Sequence, residues 1–209
     1  MASRSLQIEV GYDLICPWCL IGKRQLDQAL MTLSEQHPDI DVQLQWRPVQ
    51  LLPHIPAPGV AFMPFYIQRL GSVEAVGMRQ AQVRLAAASV GLEINFERIE
   101  MMPNTLAAHR WIAFTAQRAD QATVERLIER LFRAHFQNGE NIGDPAVLDR
   151  IGVEQQLARG EADPTFMNAY QGVPCFDFDG RVSLSGAQGA DRLLAAIAAS
   201  IGESSRVAA

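Results

Sequence analysis

Three cysteines and four histidines in 209 residues leave this sequence short of the side chains that build disulfide networks and metal centres. A disulfide-stapled domain needs several cysteine pairs. A structural zinc site needs four ligands, and the one pair at short spacing is Cys16 and Cys19. The composition therefore predicts neither a disulfide framework nor a metal site, and it directs attention to this pair.

The sequence also lacks a basic cluster and a long apolar run. Its formal net charge is −5, and proteins bind phosphate backbones with faces rich in Lys and Arg, so we expect no nucleic-acid partner. Gln7, Glu9 and Asp13 interrupt the first apolar stretch, which is unlike a signal peptide or a membrane-spanning helix. We therefore expect a cytoplasmic protein with no membrane association.

The motif Cys16-Pro17-Trp18-Cys19 lies between a predicted strand, Leu6–Ile15, and a predicted helix. Pro17 suits the first turn of that helix, where an N–H is not needed. A helix N-terminus carries partial positive charge and unpaired N–H groups, which favour a thiolate. We therefore predict that Cys16 is the attacking thiolate and that Cys19, one turn into the helix, is the more buried resolving thiol.

Two other interpretations of the cysteine pair stay open, namely a structural disulfide and half of a zinc site. The residues Ile40–Trp46 alternate apolar and polar side chains, as a second strand does, and complete a βαβ unit around the motif. Two cysteines in this spacing beside a βαβ unit favour redox chemistry.

A second motif lies far downstream. Gly172-Val173-Pro174 precedes Cys175–Ser185, a stretch typical of two short strands joined by an Asp-Gly turn. Proline cannot donate a hydrogen bond to a strand ladder, so Pro174 indicates an edge or a special turn. An ordinary strand entry is the alternative.

The intervening periodicity is helical from about residue 65 to residue 170. Capping and apolar spacing predict helices over Val73–Val90, Thr105–Ala119 with Asn104 as its cap, Thr123–Phe136, and from the Asp144-Pro145 and Asp163-Pro164 pairs. A last helix is predicted over Gln188–Ile201.

The stretch Asp13–Arg24 resembles the active-site signature of the DsbA-like thioredoxin-fold oxidoreductases. With Trp18 between its two cysteines, the motif is most similar to that of the FrnE-like branch. Three further stretches resemble the same family: Asn104–Arg110, Asn141–Asp144 and Gly172–Gln188. The resemblance implies an α/β thioredoxin fold (βαβ…ββα) interrupted by a large all-helical insertion. We expect residues 1–60 and 171–209 to form the thioredoxin fold and residues 61–170 to form the insertion.

The resemblance implies a thiol-disulfide oxidoreductase or isomerase that forms a mixed disulfide with protein or small-molecule thiols. Cys16 and Cys19 would be catalytic, and Pro17, Trp18, Val173 and a cis Pro174 would bind the substrate. No cofactor or metal is expected, and glutathione is a candidate redox partner. The oligomeric state is not predicted.

Two alternatives come from other functional classes. The 2-hydroxychromene-2-carboxylate isomerases and kappa-class glutathione transferases resemble this architecture, but they typically have serine where Cys16 stands. A non-catalytic client-binding module is the second alternative. Cys175 and His109 each have two interpretations, as packed side chains or as participants in the chemistry.

Overall fold

The structure is a computed structural model that describes residues 4–167 and 172–207. Its strands are β1 Arg4–Tyr12, β2 Ile40–Pro48, β3 Val60–Ala61, β4 Met101–Met102, β5 Cys175–Phe178 and β6 Val182–Ser185. Its α-helices are α1 Pro17–Gln36, α2 Phe62–Leu70, α3 Val73–Ala88, α4 Leu106–Ala116, α5 Gln121–Phe136, α6 Pro145–Gln155 and α7 Ala190–Val207. Within these ranges, no helix has the length and apolar character needed to cross a membrane.

The main sheet has four strands in the order β2-β1-β5-β6. The β1 and β2 strands are parallel, whereas β5 is antiparallel to both β1 and β6. With α1 between β1 and β2 and α7 after β6, this order gives the predicted βαβ…ββα thioredoxin fold, and the expected fold class is confirmed.

The core of this sheet lies on the face that holds alternate residues of β1. Leu6, Ile8 and Val10 are at most 2% exposed and pack with the apolar stripes of α1 and α7. Burying one such aliphatic side chain contributes about 1.5–3 kcal/mol. Because side chains alternate along a strand, Gly11 belongs to the opposite face of β1.

The predicted hairpin is confirmed. The turn between β5 and β6 contains Asp179, Gly180 and Arg181, and the first two have left-handed φ values of 56° and 68°. The Gly180 N–H donates to Asp177 Oδ1 at 2.6 Å. This turn fixes the register of the hairpin, and β5 pairs with β1 so that Cys175 lies opposite Gly11.

The chain divides into two compact units, one from residues 1–49 with 166–209 and one from residues 50–165. The second unit is helical apart from a short 3-10 turn and the two-residue strands β3 and β4. Its predicted caps are present in part: Asp144 accepts from the Ala146 N–H at 2.9 Å. Asn104 Oδ1 accepts from the Leu106 N–H at 2.9 Å, although the capping position itself is Thr105.

The helix predicted from Asp163-Pro164 is wrong for the described residues, since residues 163–167 have no helical structure. The segment is held by contacts to other parts of the chain. In the helical unit the Ala162 N–H donates to Arg110 O at 3.2 Å, and in the other unit the Met167 N–H donates to Pro48 O at 2.8 Å. The rest of that prediction falls on residues 168–171, outside the described ranges.

Candidate active site

Cys16 occupies the residue immediately before α1. Its backbone is extended, with φ −92° and ψ 109°, and its N–H donates to Asp13 O at 3.0 Å. Its carbonyl oxygen accepts from the Cys19 N–H at 3.0 Å, which starts the helix, and Pro17 follows at a position that needs no donor. The thiol group therefore projects from the positive end of a 20-residue helix.

Cys19 lies inside the first turn and is 2% exposed. Burial raises the pKa of the Cys19 thiol well above its ordinary value of 9.0, and the hydrogen bond and charge of Cys16 raise it further. A backbone hydrogen bond from Asp13 opposes these effects, whereas the charge of Asp13 adds to them. Both cysteines are free thiols in this structure. The environment of Cys19 therefore favours its thiol form.

The downstream motif reaches the same place. Cys16 Sγ lies 3.8 Å from Val173 O, within range of a weak S–H···O hydrogen bond, although the residues are 157 positions apart. The Val173-Pro174 peptide bond is cis. Pro174 O accepts from the Gly186 N–H at 2.7 Å, which ties the segment to the end of the hairpin. The fold thus brings Cys16 and Val173 together.

Pro17 and Trp18 are partly exposed between the two buried cysteines. Both residues follow directly on Cys16 in the first turn of α1. Both side chains are mainly apolar.

Asp13 and Tyr12 are buried beside the cysteines. No role was predicted for either residue, although Asp13 begins the Asp13–Arg24 stretch that resembles the family's active-site signature. Asp13 is 0% exposed and Tyr12 is 1% exposed. Burial raises the pKa of Tyr12, and the charges of Asp13 and Cys19 raise it further. Tyr12 is the last residue of β1 and Asp13 follows it directly.

Cys175 is half-buried, and its sulfur contacts Met167 Sδ at 3.5 Å. It lies so close to Gly11 that a side chain there would overlap the sulfur. Burial raises the pKa of Cys175, the charge of Asp177 adds to this, and a backbone hydrogen bond from Gly11 opposes it. These contacts favour a packing role for Cys175.

His109 is a residue of α4 and is 1% exposed. Its backbone N–H donates to Thr105 O at 3.0 Å, as an ordinary helical residue does. This burial favours the interpretation of His109 as a packed helix residue. Among the described residues, no group of three or more His, Cys, Asp or Glu side chains is arranged to hold a metal ion.

Comparison with known proteins gives matches in sequence and in structure. The model of the DSBA-like thioredoxin domain family matches residues 7–170. The uncharacterized protein YwbO of Bacillus subtilis (strain 168) is 27% identical over 153 residues, which are 73% of this chain and 68% of YwbO.

Two solved structures resemble the chain over almost its whole length. The probable DsbA oxidoreductase SCO1869 of Streptomyces coelicolor has a TM-score of 0.82 at 22% identity, over 95% of this chain and 91% of its own. A 2-hydroxychromene-2-carboxylate isomerase has a TM-score of 0.57 at 13% identity, over 96% of each chain. At such identities the likeness establishes the fold, and the chemistry depends on the residues of this chain.

Proposed function

We propose that this chain, which belongs to the DsbA-like thioredoxin domain family by its match over residues 7–170, is a thiol-disulfide oxidoreductase or isomerase that uses Cys16 and Cys19. The observation that carries the proposal is the inequality of the two thiols. Both thiols are buried, with Cys16 7% and Cys19 2% exposed. Cys16 stands at the helix N-terminus with its sulfur 3.8 Å from Val173 O, whereas Cys19 lies inside the first turn and burial raises its pKa. An attacking thiol and a resolving thiol require these two different environments.

In the oxidising direction, a client thiolate attacks the Cys16 sulfur of a Cys16–Cys19 disulfide. The bond between Cys16 and Cys19 breaks, and Cys19 leaves with the electron pair and takes up a proton, as its raised pKa favours. A second client thiolate then attacks the client sulfur of the mixed disulfide and releases Cys16. Two electrons pass from the client to the protein, and the reducing direction reverses these steps with Cys16 as the attacking group.

The proposed substrates are protein or small-molecule thiols and disulfides. The Val173 carbonyl group is proposed to accept a backbone hydrogen bond from an extended peptide, in the manner of strand addition. Pro17, Trp18 and Pro174 are proposed to contact the side chains beside the reacting sulfur. Glutathione is a proposed redox partner, and the proposal includes no other cofactor.

Reduction of insulin disulfides and reactivation of scrambled ribonuclease test this proposal. We expect Cys16→Ser to abolish both activities and Cys19→Ser to trap a mixed disulfide, because resolution then lacks its thiol. Cys175→Ser is the matched control, since its sulfur packs against Met167, and it should retain activity. Unchanged activity in a folded Cys16→Ser protein would refute the proposal.

The same variants separate the other functional classes. Glutathione-dependent isomerisation of a chromene carboxylate that survives in Cys16→Ser would favour the isomerase alternative. Suppression of client aggregation that survives when Cys16→Ser and Cys19→Ser are combined, with no exchange activity in the wild type, would favour the client-binding module. The cytoplasmic location stays a prediction, which cell fractionation of the full-length protein would check.

A further inference from the structure

Gly22 is a buried residue of α1, three residues after Cys19. A Cβ placed on Gly22 would lie 2.9 Å from Pro174 Cγ and 3.1 Å from Phe176 Cζ. Real Cβ atoms essentially never approach other heavy atoms within 3.0 Å. Because glycine has no Cβ, position 22 allows Pro174 and Phe176 to approach the helix this closely.

The neighbours of Gly22 have little freedom to move away. Phe176 is 1% exposed and belongs to the core between the sheet and its helices. The Pro174 ring is rigid, and its carbonyl oxygen is held by the Gly186 N–H at 2.7 Å. A larger side chain at position 22 would therefore move the whole Pro174 segment away from α1. The overlap could not be relieved by rotation of a flexible side chain.

From these contacts we infer that Gly22 is a positioning residue for the exchange reaction, because it sets how close the Val173-Pro174 segment lies to Cys16. This inference rests on the proposed function. An ordinary contact of 3.4 Å in place of 2.9 Å requires a shift of about 0.5 Å (3.4 − 2.9), which Val173 shares through its peptide bond to Pro174. Misplacement by 1 Å can cost about a hundredfold in rate, so we expect about a tenfold loss with a peptide substrate.

The test compares Gly22→Ala with the matched control Gly77→Ala, a helix-interior glycine of α3 that has nothing within 4 Å of its would-be Cβ. We expect Gly22→Ala to reduce kcat/KM for insulin about tenfold, and Gly77→Ala to leave it unchanged. Iodoacetamide alkylates reduced Cys16 without binding to the Val173 carbonyl group, so the alkylation rate of both variants should stay within about twofold of the wild-type rate. A parallel loss in alkylation would overturn the inference, because it would locate the effect at the Cys16 thiol.

The variant Pro174→Ala provides a second test, since it removes Pro174 Cγ, the atom that the new Cβ of Gly22→Ala would overlap. In that background Gly22→Ala should cost less than about twofold, whereas an undiminished tenfold loss would indicate general damage and overturn the inference. If Gly22→Ala alone does not fold, the double variant should fold with the thermal midpoint of Pro174→Ala. Failure of the double variant to fold would likewise overturn it.

A crystal structure of Gly22→Ala distinguishes failure of this inference from failure of the proposed function, because it does not depend on activity. We expect the separation of Cys16 Sγ and Val173 O to change from 3.8 Å by several tenths of an ångström. An unchanged separation would refute the inference whatever the turnover. A changed separation in a protein whose wild type exchanges disulfides no faster than Cys16→Ser would refute the proposed function alone.

Discussion

The step in which Cys19 resolves the mixed disulfide should depend steeply on pH. Cys19 attacks only as a thiolate, so the rate of resolution follows the fraction of Cys19 that is deprotonated. Burial is the main cause that raises the pKa of Cys19 above 9.0, and the hydrogen bond and charge of Cys16 add to it. The Cys16 contributions end when Cys16 carries a substrate sulfur, but burial remains, since Cys19 is 2% exposed.

The sign and size of the effect follow from that direction. A raised pKa keeps Cys19 as a thiol throughout the neutral range, with about one thiolate in a hundred or fewer at about pH 7. Each further pH unit increases the thiolate fraction about tenfold, so resolution should accelerate about a hundredfold between about pH 6 and about pH 8. The rate should not level off below the ordinary pKa of 9.0.

Stopped-flow mixing with an aromatic disulfide that yields a coloured thiolate separates the two steps. Attack by Cys16 releases one coloured thiolate and leaves an aryl mixed disulfide, and attack by Cys19 releases the second and closes the Cys16–Cys19 bond. The Cys175→Ser background removes the third thiol, and Cys19→Ser should retain one aryl group by mass spectrometry. A second phase that is independent of pH, or that levels off near neutral pH, would refute the argument that Cys19 stays buried during resolution.

Two further predictions concern stability and can be measured as free energies of unfolding in urea. Arg130→Ala should lower the free energy of unfolding by about 2 kcal/mol, because the Arg130 side chain is 9% exposed and its ion pair with Glu154 spans 2.8 Å. The control Arg150→Ala removes a side chain that is 58% exposed and should cost less than about 0.5 kcal/mol. Equal costs for the two variants would contradict the argument from burial. Gly91→Ala and Gly139→Ala both place alanine at left-handed φ, 71° and 72°, at a cost of about 1–2 kcal/mol. Gly139→Ala should lower the free energy of unfolding by about 2 kcal/mol more than Gly91→Ala does, because the new side chain would overlap the backbone carbonyl of Arg98. Similar losses for the two glycine variants would show that the structure relieves this overlap.

Much of the fold follows from local signals in the sequence. Alternation in β1 and β2, helical spacing in α1 and α5, and the turn at Asp179 and Gly180 each act over a few residues, so the sequence predicts them directly. The position of Cys16 immediately before α1 follows from the same kind of signal, because a strand pattern ends and a helix pattern begins there. Its chemical environment follows only from the folded chain.

The features that the sequence did not predict depend on contacts between distant residues. Asp163-Pro164 has the local signal of a helix start, but the segment bonds to backbone groups elsewhere in the chain. Gly22 looks like an ordinary helix interruption until Pro174 and Phe176 are placed against it. Asn104 acts as a local cap, as predicted for its side chain, but it also donates to Ile55 O at 2.5 Å, across 49 residues.

The proximity of Cys16 and Val173 is a consequence of strand register in β1. Asp13, directly after β1, accepts the Cys16 N–H and fixes Cys16 to the end of that strand. Gly11 pairs with Cys175, which fixes the start of β5 to the same end. A slip of one residue would move the Val173 carbonyl by about 3.4 Å along the strand and turn the core-facing side chain of Phe176 to the opposite face. The apolar core therefore opposes any slip that would separate the two halves of the site, and the geometry of the site depends on the register between β1 and β5.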